Sequence, residues 1–482
     1  MDTLVQEERT NMDICAQKTN IWAQEELEGA DFGDKRLRNR FIHIMSDIAA
    51  QPEASVPQAC GTEAATKATY RFLDNENVTP EAIRASHRDK TVERVKEYKV
   101  VLAVQDTTSL NYTTHKATSG LGPIDGNGSH GMHVHSVLAV SSDGVPLGLV
   151  HQQVWSRDPE KKRSKEERKK LPIEEKESYR WLQSVDATSK AMDIETRIIT
   201  VADREADIFE LFALARPDNM DLLIRAVQDR RVQVGDSEIG KLWKSVEAVE
   251  PANQIMTIHL EHKPGMPARD VTLMVRWLTV SIQPGANKKK KHTPVLLTAI
   301  LVTEVNAPEG VEPLEWLLLT TLSVETFQQA AQCVIWYRFR WLIERYHFVL
   351  KSGCHLEKLQ LETAERLERA LALYCIVAWR LLHLTYLARV TPDASCEVVF
   401  QTHEWQALHA FTYQTNALPT TPPSLHEATR LVAKLGGFLA RKSDGEPGVQ
   451  TIWRGLRRLD DLASMWLLLH SFSSQEPFRS CG

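Results

Sequence analysis

Two short runs, Val100-Val101-Leu102-Ala103-Val104-Gln105 and Arg197-Ile198-Ile199-Thr200-Val201-Ala202, narrow the folds open to this chain more than any other feature. Both are apolar without alternation, as in strands buried on both faces, and such strands need a layer of structure on each side of their sheet. The class they point to is α/β. Each run delivers an aspartate at its C-terminal end, Asp106 and Asp203. Ligand sites in open α/β sheets form outside the carboxyl ends of strands, so both carboxylates stand where chemistry is usually done.

A third run, Val334 to Lys351, has no Pro or Gly and is expected to be one helix ended by Ser352-Gly353. At 3.6 residues per turn, Tyr337, Arg340, Glu344 and Lys351 then fall along one stripe. A carboxylate there can hold a hard divalent cation, while Arg and Lys can clamp phosphate oxygens. The bland alternative is a solvated face with intrahelical ion pairs. Trp336, Phe339, Trp341, Phe348 and Leu350 are interleaved with the charges and argue for a largely buried helix, in which charges need partners.

At 482 residues the chain exceeds one ordinary core, so several domains are expected. Residues 1–20 read as a frayed arm, and Ile21 to about Ser86 as helical, with Lys35, Arg36, Arg38 and Arg40 crowded together and Lys67 and Arg71 four apart beside Tyr70. Val134 to Val140 and Gly148 to Val154 read as a hairpin turned at Ser142-Asp143-Gly144. The basic run within 157–177 reads as a solvated loop, with contact to a nucleic-acid backbone as the alternative. Short β segments from Leu222 to about Thr321, with a basic turn at Lys288 to Lys291, read as an inserted β subdomain. Thr363 to Val390 reads as a long helix, and the tail from Asp393 onward as helical.

Several classes drop out. The apolar run near Leu371 is interrupted by Arg380 and His383 and reads as too short for a bilayer span, and the N-terminus has no basic leader, which together predict a cytoplasmic protein. Seven cysteines without a C-x-x-C pair suggest neither a disulfide framework nor a zinc site. A net charge of −5 excludes a wholly basic nucleic-acid coat but leaves local patches open. Three carboxylates meeting at Asp106, Asp203 and Glu344 would repel one another unless cations lay between them, and a pair of divalent ions is the usual solution for phosphodiester chemistry.

In this order of motifs the chain resembles the DDE transposases of the insertion-sequence-four group, in the transposon-five branch. The resemblance rests on Tyr337, Arg340, Glu344 and Lys351 at the spacing of that branch's signature, on Asp106-Thr-Thr-Ser-Leu, on Asp203-Arg204-Glu205-Ala206-Asp207, on Glu175-Lys176-Glu177-Ser178 and on Leu435-Gly436-Gly437-Phe438. It implies an RNase H-like catalytic core with an inserted β subdomain at about 222–321, flanked by helical N- and C-terminal domains. Residues 1–90 would recognise transposon ends, 91–390 would carry catalysis and 391–482 would dimerise. It further implies two Mg2+ or Mn2+ ions per site on Asp106, Asp203 and Glu344. DNA contacts would come from Tyr337, Arg340, Lys351, Arg204, Arg225, Trp316 and Trp341, and in the N-terminal domain from Arg36, Arg40, Lys67, Tyr70 and Arg71. Trp316 matches the residue on which a flipped base stacks while the cut end forms a hairpin, with Trp341 as its companion. The implied partners are double-stranded DNA, as transposon ends and target, and a second copy of the chain in the synaptic complex, with no membrane. The expected function is cut-and-paste transposition. Its rivals are a catalytically silent, transposase-derived DNA-binding protein or inhibitor, and an RNase H-like nuclease without strand transfer.

Overall fold

A computed structural model of the chain describes residues 21–124, 127–160, 164–192, 195–260, 268–285, 292–442 and 444–473. The expected N-terminal arm and the Lys288–Lys291 turn lie outside these residues. The chain divides into two compact units, one comprising residues up to 90, 110–132 and from 345 onward, the other residues 91–109 and 133–344.

The elements run α1 (Ile21–Leu27), α2 (Lys35–Ala50), α3 (Val56–Cys60), α4 (Glu63–Asp74), α5 (Pro80–Val95), β1 (Val100–Asn111), β2 (Gly122–Pro123), β3 (His130–Ser141), β4 (Pro146–Trp155), α6 (Lys165–Lys170), α7 (Tyr179–Ala191), β5 (Arg197–Ala202), α8 (Phe209–Phe212) and β6 (Met220–Arg225). They continue as β7 (Arg231–Gln233), β8 (Gly240–Lys241), α9 (Leu242–Glu247), β9 (Ile255–Leu260), β10 (Arg269–Ile282), β11 (Val295–Glu304), β12 (Glu315–Thr320), α10 (Phe327–Arg338), α11 (Trp341–Phe348), α12 (Ala364–Val390), α13 (Thr402–Tyr413), α14 (Leu425–Leu435) and α15 (Val449–Ser473).

The sheet runs β3-β1-β5-β6-β12-β11-β10-β7-β8, with β4 on β3 and β9 on β10. β1, β5 and β6 are parallel neighbours at its centre. Val101–Gln105 of β1, Ile198–Ala202 of β5 and Met220–Ile224 of β6 are buried, as strands covered on both faces must be. α7 packs on β4, and α10 on β5, β6 and β10. The segment read as an inserted β subdomain is hydrogen-bonded into this sheet at both ends. Its first strand, β6, pairs in parallel with β5, and its last, β12, pairs antiparallel with β6. Within the basic run, Ser164 and Glu167 form a capping box that starts the short helix α6, so that part is not the plain loop expected.

The other unit is helical around α12. Thr363 caps its first turn through a hydrogen bond from Arg366 N. The expectation that this run is too short to cross a bilayer does not hold, since the helix continues unbroken for 27 residues. It is instead a core helix, with 83% of its most apolar window buried and with α2, α4, α14 and α15 packed around it. Half-buried Arg380 is accommodated by stacking its guanidinium 4.2 Å from the Trp22 ring centroid. Gly436 and Gly455 let the backbones of α14 and α15 touch: a Cβ on either would lie 1.8 Å from a carbonyl oxygen of the facing segment. The five described cysteines are all free thiols.

Candidate active site

The site grows from the register of two strands. β1 and β5 pair in parallel from Val100 opposite Arg197 to Val104 opposite Val201. Two residues further on, the same offset sets Asp106 beside Asp203, on the same face of the sheet because side chains alternate identically along both strands. The strands then part. β1 does not end at Gln105 as expected but runs on to Asn111, while β5 turns off at Ala202 into a single 3-10 turn, Arg204–Ala206. Asp203 caps that turn, accepting from Glu205 N at 2.9 Å, and Asp106 accepts from Thr107 N at 2.8 Å. Each carboxylate is thereby oriented by a backbone N–H.

The helix carrying Glu344 is not the single rod anticipated. α10 ends at Arg338, and Phe339 and Arg340 form a tighter 3-10 step before α11 begins, with N–H groups bonding three residues back instead of four. Neither proline nor glycine marks this break. What accompanies it is the hairpin turn between β3 and β4: Gly144, at φ +94°, approaches so closely that a Cβ there would stand 2.5 Å from the Phe339 ring. The step keeps the polar side chains together nonetheless. Arg340 forms an ion pair with Glu344 one turn on, and its charge acts on Tyr337 one turn back.

Burial pushes the Asp106 carboxyl up to about 7, reinforced by the Asp203 charge; the Thr107 N–H and Arg340 pull against that rise and Glu344 adds to it. The three carboxylates and Arg340 are therefore one electrostatic cluster. Burial likewise raises the Tyr337 phenol, against the pull of the Arg340 and Arg225 charges. Trp316 meets the Tyr337 ring edge-to-face at 5.2 Å between centroids. Arg204, exposed beside Asp203, adds positive charge next to Arg225. Thus Asp106, Asp203, Glu344, Arg340, Tyr337, Arg225, Arg204 and Trp316 come together in one unit, and Trp341 opens α11 three residues before Glu344.

The remaining expected residues belong to the other unit. Lys351 lies in a single π turn, Val349–Gly353. Arg36 and Arg40 are one turn apart on α2, Arg36 being 93% exposed and loosely paired with Asp34. Lys67, Tyr70 and Arg71 lie on α4, with Lys67 in an exposed ion pair with Glu63. Exposed pairs of this kind contribute at most about 1 kcal/mol and part readily for a phosphate.

Three features escaped sequence reasoning. Asp207, quoted only as part of a motif, is buried and accepts from Val227 N and Gln228 N, both at 2.8 Å, and from Arg230, so it clasps the loop that follows Arg225. Arg180 reaches Thr107 and Glu205, the neighbours of the two aspartates. His135, inside an apolar strand, bonds Thr107. Nothing in the spacing of these residues marked them; their partners lie on other elements.

Among the described residues no group of three or more His, Cys, Asp and Glu side chains forms a ready metal cluster. The Asp106–Asp203 pair still suits a hard cation, because the Asp203 charge opposes ionisation of Asp106 and oxygen-bound Mg2+ or Mn2+ would offset it.

An acidic edge on a parallel sheet core, with arginines and an aromatic beside it, belongs to the RNase H-like phosphoryl-transfer class. Three family models match the chain: Transposase DNA-binding over residues 19–78, Transposase DDE domain over 152–380, and Transposase Tn5 dimerisation domain over 376–473. The chain belongs to the Tn5-like DDE transposases. It is a DNA-binding protein that forms homodimers, and its enzyme family depends on divalent metal. Asp203 and Glu344 fall inside the DDE match, whereas Asp106 precedes it.

Proposed function

We propose that this transposase works by cut-and-paste, with Asp106, Asp203 and Glu344 as the ligands of two Mg2+ or Mn2+ ions. The observation that carries the reading is the β1–β5 register, which sets Asp106 beside Asp203 and burdens Asp106 with a charge it cannot easily hold alone. When bound, such ions activate the attacking oxygen and stabilise the leaving one. The chain's own residues supply the rest. Arg340 and Arg225, gathered on Tyr337, orient the phosphodiester, with Lys351 and Arg204 adding charge along the backbone. Trp316, supported by Trp341, offers a face for a base turned out of the stack, as a tight DNA hairpin requires.

In this scheme water nicks the transposon end, and the freed 3′ hydroxyl attacks the opposite strand to give a hairpin. A second water opens the hairpin, and the same hydroxyl then attacks target DNA. Residues 1–90, with Arg36, Arg40, Lys67, Tyr70 and Arg71, recognise the ends; 91–390 catalyse; 391–482 hold the synaptic dimer. The reaction takes place in the cytoplasm, on chromosomal or plasmid DNA.

The test is a cleavage assay with Mg2+ on DNA carrying the inverted repeats that flank the gene, resolved on denaturing gels. Nicks, hairpins and joined products are expected from the native chain, and none from Glu344→Gln, which binds ends as before. Specific end binding by the native chain without any cut product in either metal would overturn the proposal.

A further inference from the structure

The paired register of β1 and β5 ends at Val104 opposite Val201, two residues short of Asp106 and Asp203, so side-chain contacts share in holding the two strands at the aspartates. Two like charges there tend to spread apart. One largely buried arginine side chain spans the gap. Arg180, on α7, donates from Nε to Thr107 Oγ1 at 2.9 Å and from a terminal nitrogen to Glu205 Oε2 at 2.6 Å. Thr107 follows Asp106 and orients it through its N–H; Glu205 lies two residues past Asp203 and donates its own N–H to that carboxylate. Both aspartates are thus held by backbone groups whose residues are gripped by the same guanidinium.

The strut is itself braced. Its side chain is 12% exposed, with the guanidinium carbon 5.7 Å from the Trp155 ring centroid and 5.3 Å from that of Trp181. Its second terminal nitrogen donates to Glu177 O at 2.9 Å. On the far side of Thr107, the hydroxyl lies 2.9 Å from His135 Nδ1, and His135 Nε2 lies 3.4 Å from Gln105 Oε1. With Gln105 accepting, the imidazole hydrogen sits on Nε2 and Nδ1 accepts from Thr107. Gln105 and Thr107 flank Asp106 and point to the opposite face of β1, so this chain anchors the strand on both sides of the aspartate.

We propose that Arg180, acting through Thr107 and Glu205 and braced by His135, is a positioning residue that sets the spacing of Asp106 and Asp203 for metal binding. The inference rests on the proposed role of those two aspartates as metal ligands. Arg180 touches no reacting atom in this scheme; it acts through its two neighbours.

The experiment uses the full-length chain without DNA and reads Mn2+ binding by the spectroscopic signal of free Mn2+. In parallel it reads the Mg2+ dependence of first-strand nicking on end DNA. Thr107→Val, which removes the hydroxyl and keeps the shape, weakens Mn2+ binding by roughly 10–100-fold, the range found for groups that orient metal ligands. The Mg2+ needed for half-maximal nicking rises in proportion, while nicking at saturating Mg2+ largely recovers and end binding is unchanged. Thr107→Ser, which restores the hydroxyl, returns both to the native values. Arg180→Lys, with the charge but not the fork, behaves like Thr107→Val and carries the same reading should that variant melt early. Native Mn2+ affinity in both Thr107→Val and Arg180→Lys would overturn the inference. Asp106→Asn separates the two levels: if it loses Mn2+ binding while the strut variants keep it, only the strut is wrong, and if it too binds Mn2+ like the native chain, the site itself is misplaced.

Discussion

Asp106 makes the metal-free protein sensitive to pH in a direction opposite to most carboxylates. Its folded-state value of about 7 lies above the ordinary 3.8, because burial and then the Asp203 charge oppose ionisation. The folded chain therefore binds more protons than the unfolded chain between those values, and stability falls as pH rises from about 4 to 7, then levels. At about 1.4 kcal/mol per unit, a rise of roughly three units gives a ceiling of about 4 kcal/mol lost by pH 8. Asp106→Asn removes the charge and keeps an oxygen for the Thr107 N–H. In chelator at pH 8 the variant's sheet unit is expected to melt up to roughly 8–16 °C above the native one, at about 2–4 °C per kcal/mol for a unit of this size. At pH 5 the gap narrows to about 1.6 kcal/mol, the part of the penalty that builds up between pH 3.8 and 5. Calorimetric scans between pH 5 and 8.5 read this directly, and 10 mM Mg2+, on the order of a saturating concentration for a carboxylate site, stabilises the native chain at pH 8 but not the variant. Equal pH slopes for the two proteins in chelator would refute the reasoning, since no penalty would then reside on Asp106.

Two further outcomes follow from the geometry. Trp316→Ala is expected to slow hairpin formation more than the first nick, because nicking needs no turned-out base; equal slowing of both steps on a time-resolved denaturing gel would remove the tryptophan from that role. Asp207→Ala strands buried Arg230 and two backbone N–H groups, which costs about 3–5 kcal/mol in denaturant unfolding, and it loosens the loop beside Arg225, so end binding weakens as well.

Local pattern was enough where a segment's neighbours follow from its own residues. β5 starts at Arg197 and ends at Ala202 because an unbroken apolar run bounded by polar residues has one stable setting, the middle of a sheet. α7 and α12 start beside Ser178 and Thr363 for a similarly local reason, a polar residue before a long helix-forming run. The same pattern failed at Phe339. A run without Pro or Gly reads as one helix, yet the chain tightens there, where the Phe339 ring lies against the turn at Gly144. It failed again at Arg380, whose charge seemed to interrupt an apolar run but lies stacked on Trp22 inside the unit.

The sequence by itself determined which segments are strands and helices, where the carboxylates sit along them, and, through its spaced motifs, the family. Tertiary structure alone decided that Asp106 and Asp203 are neighbours, that the β-rich middle of the chain continues one sheet, and that Arg180 spans the two aspartate-bearing strands. The division has a physical cause. Hydrophobic periodicity and capping act within one or two turns and are written in adjacent residues, whereas register, ring contact and buried hydrogen bonds join groups that only folding brings within 3 Å or so of each other.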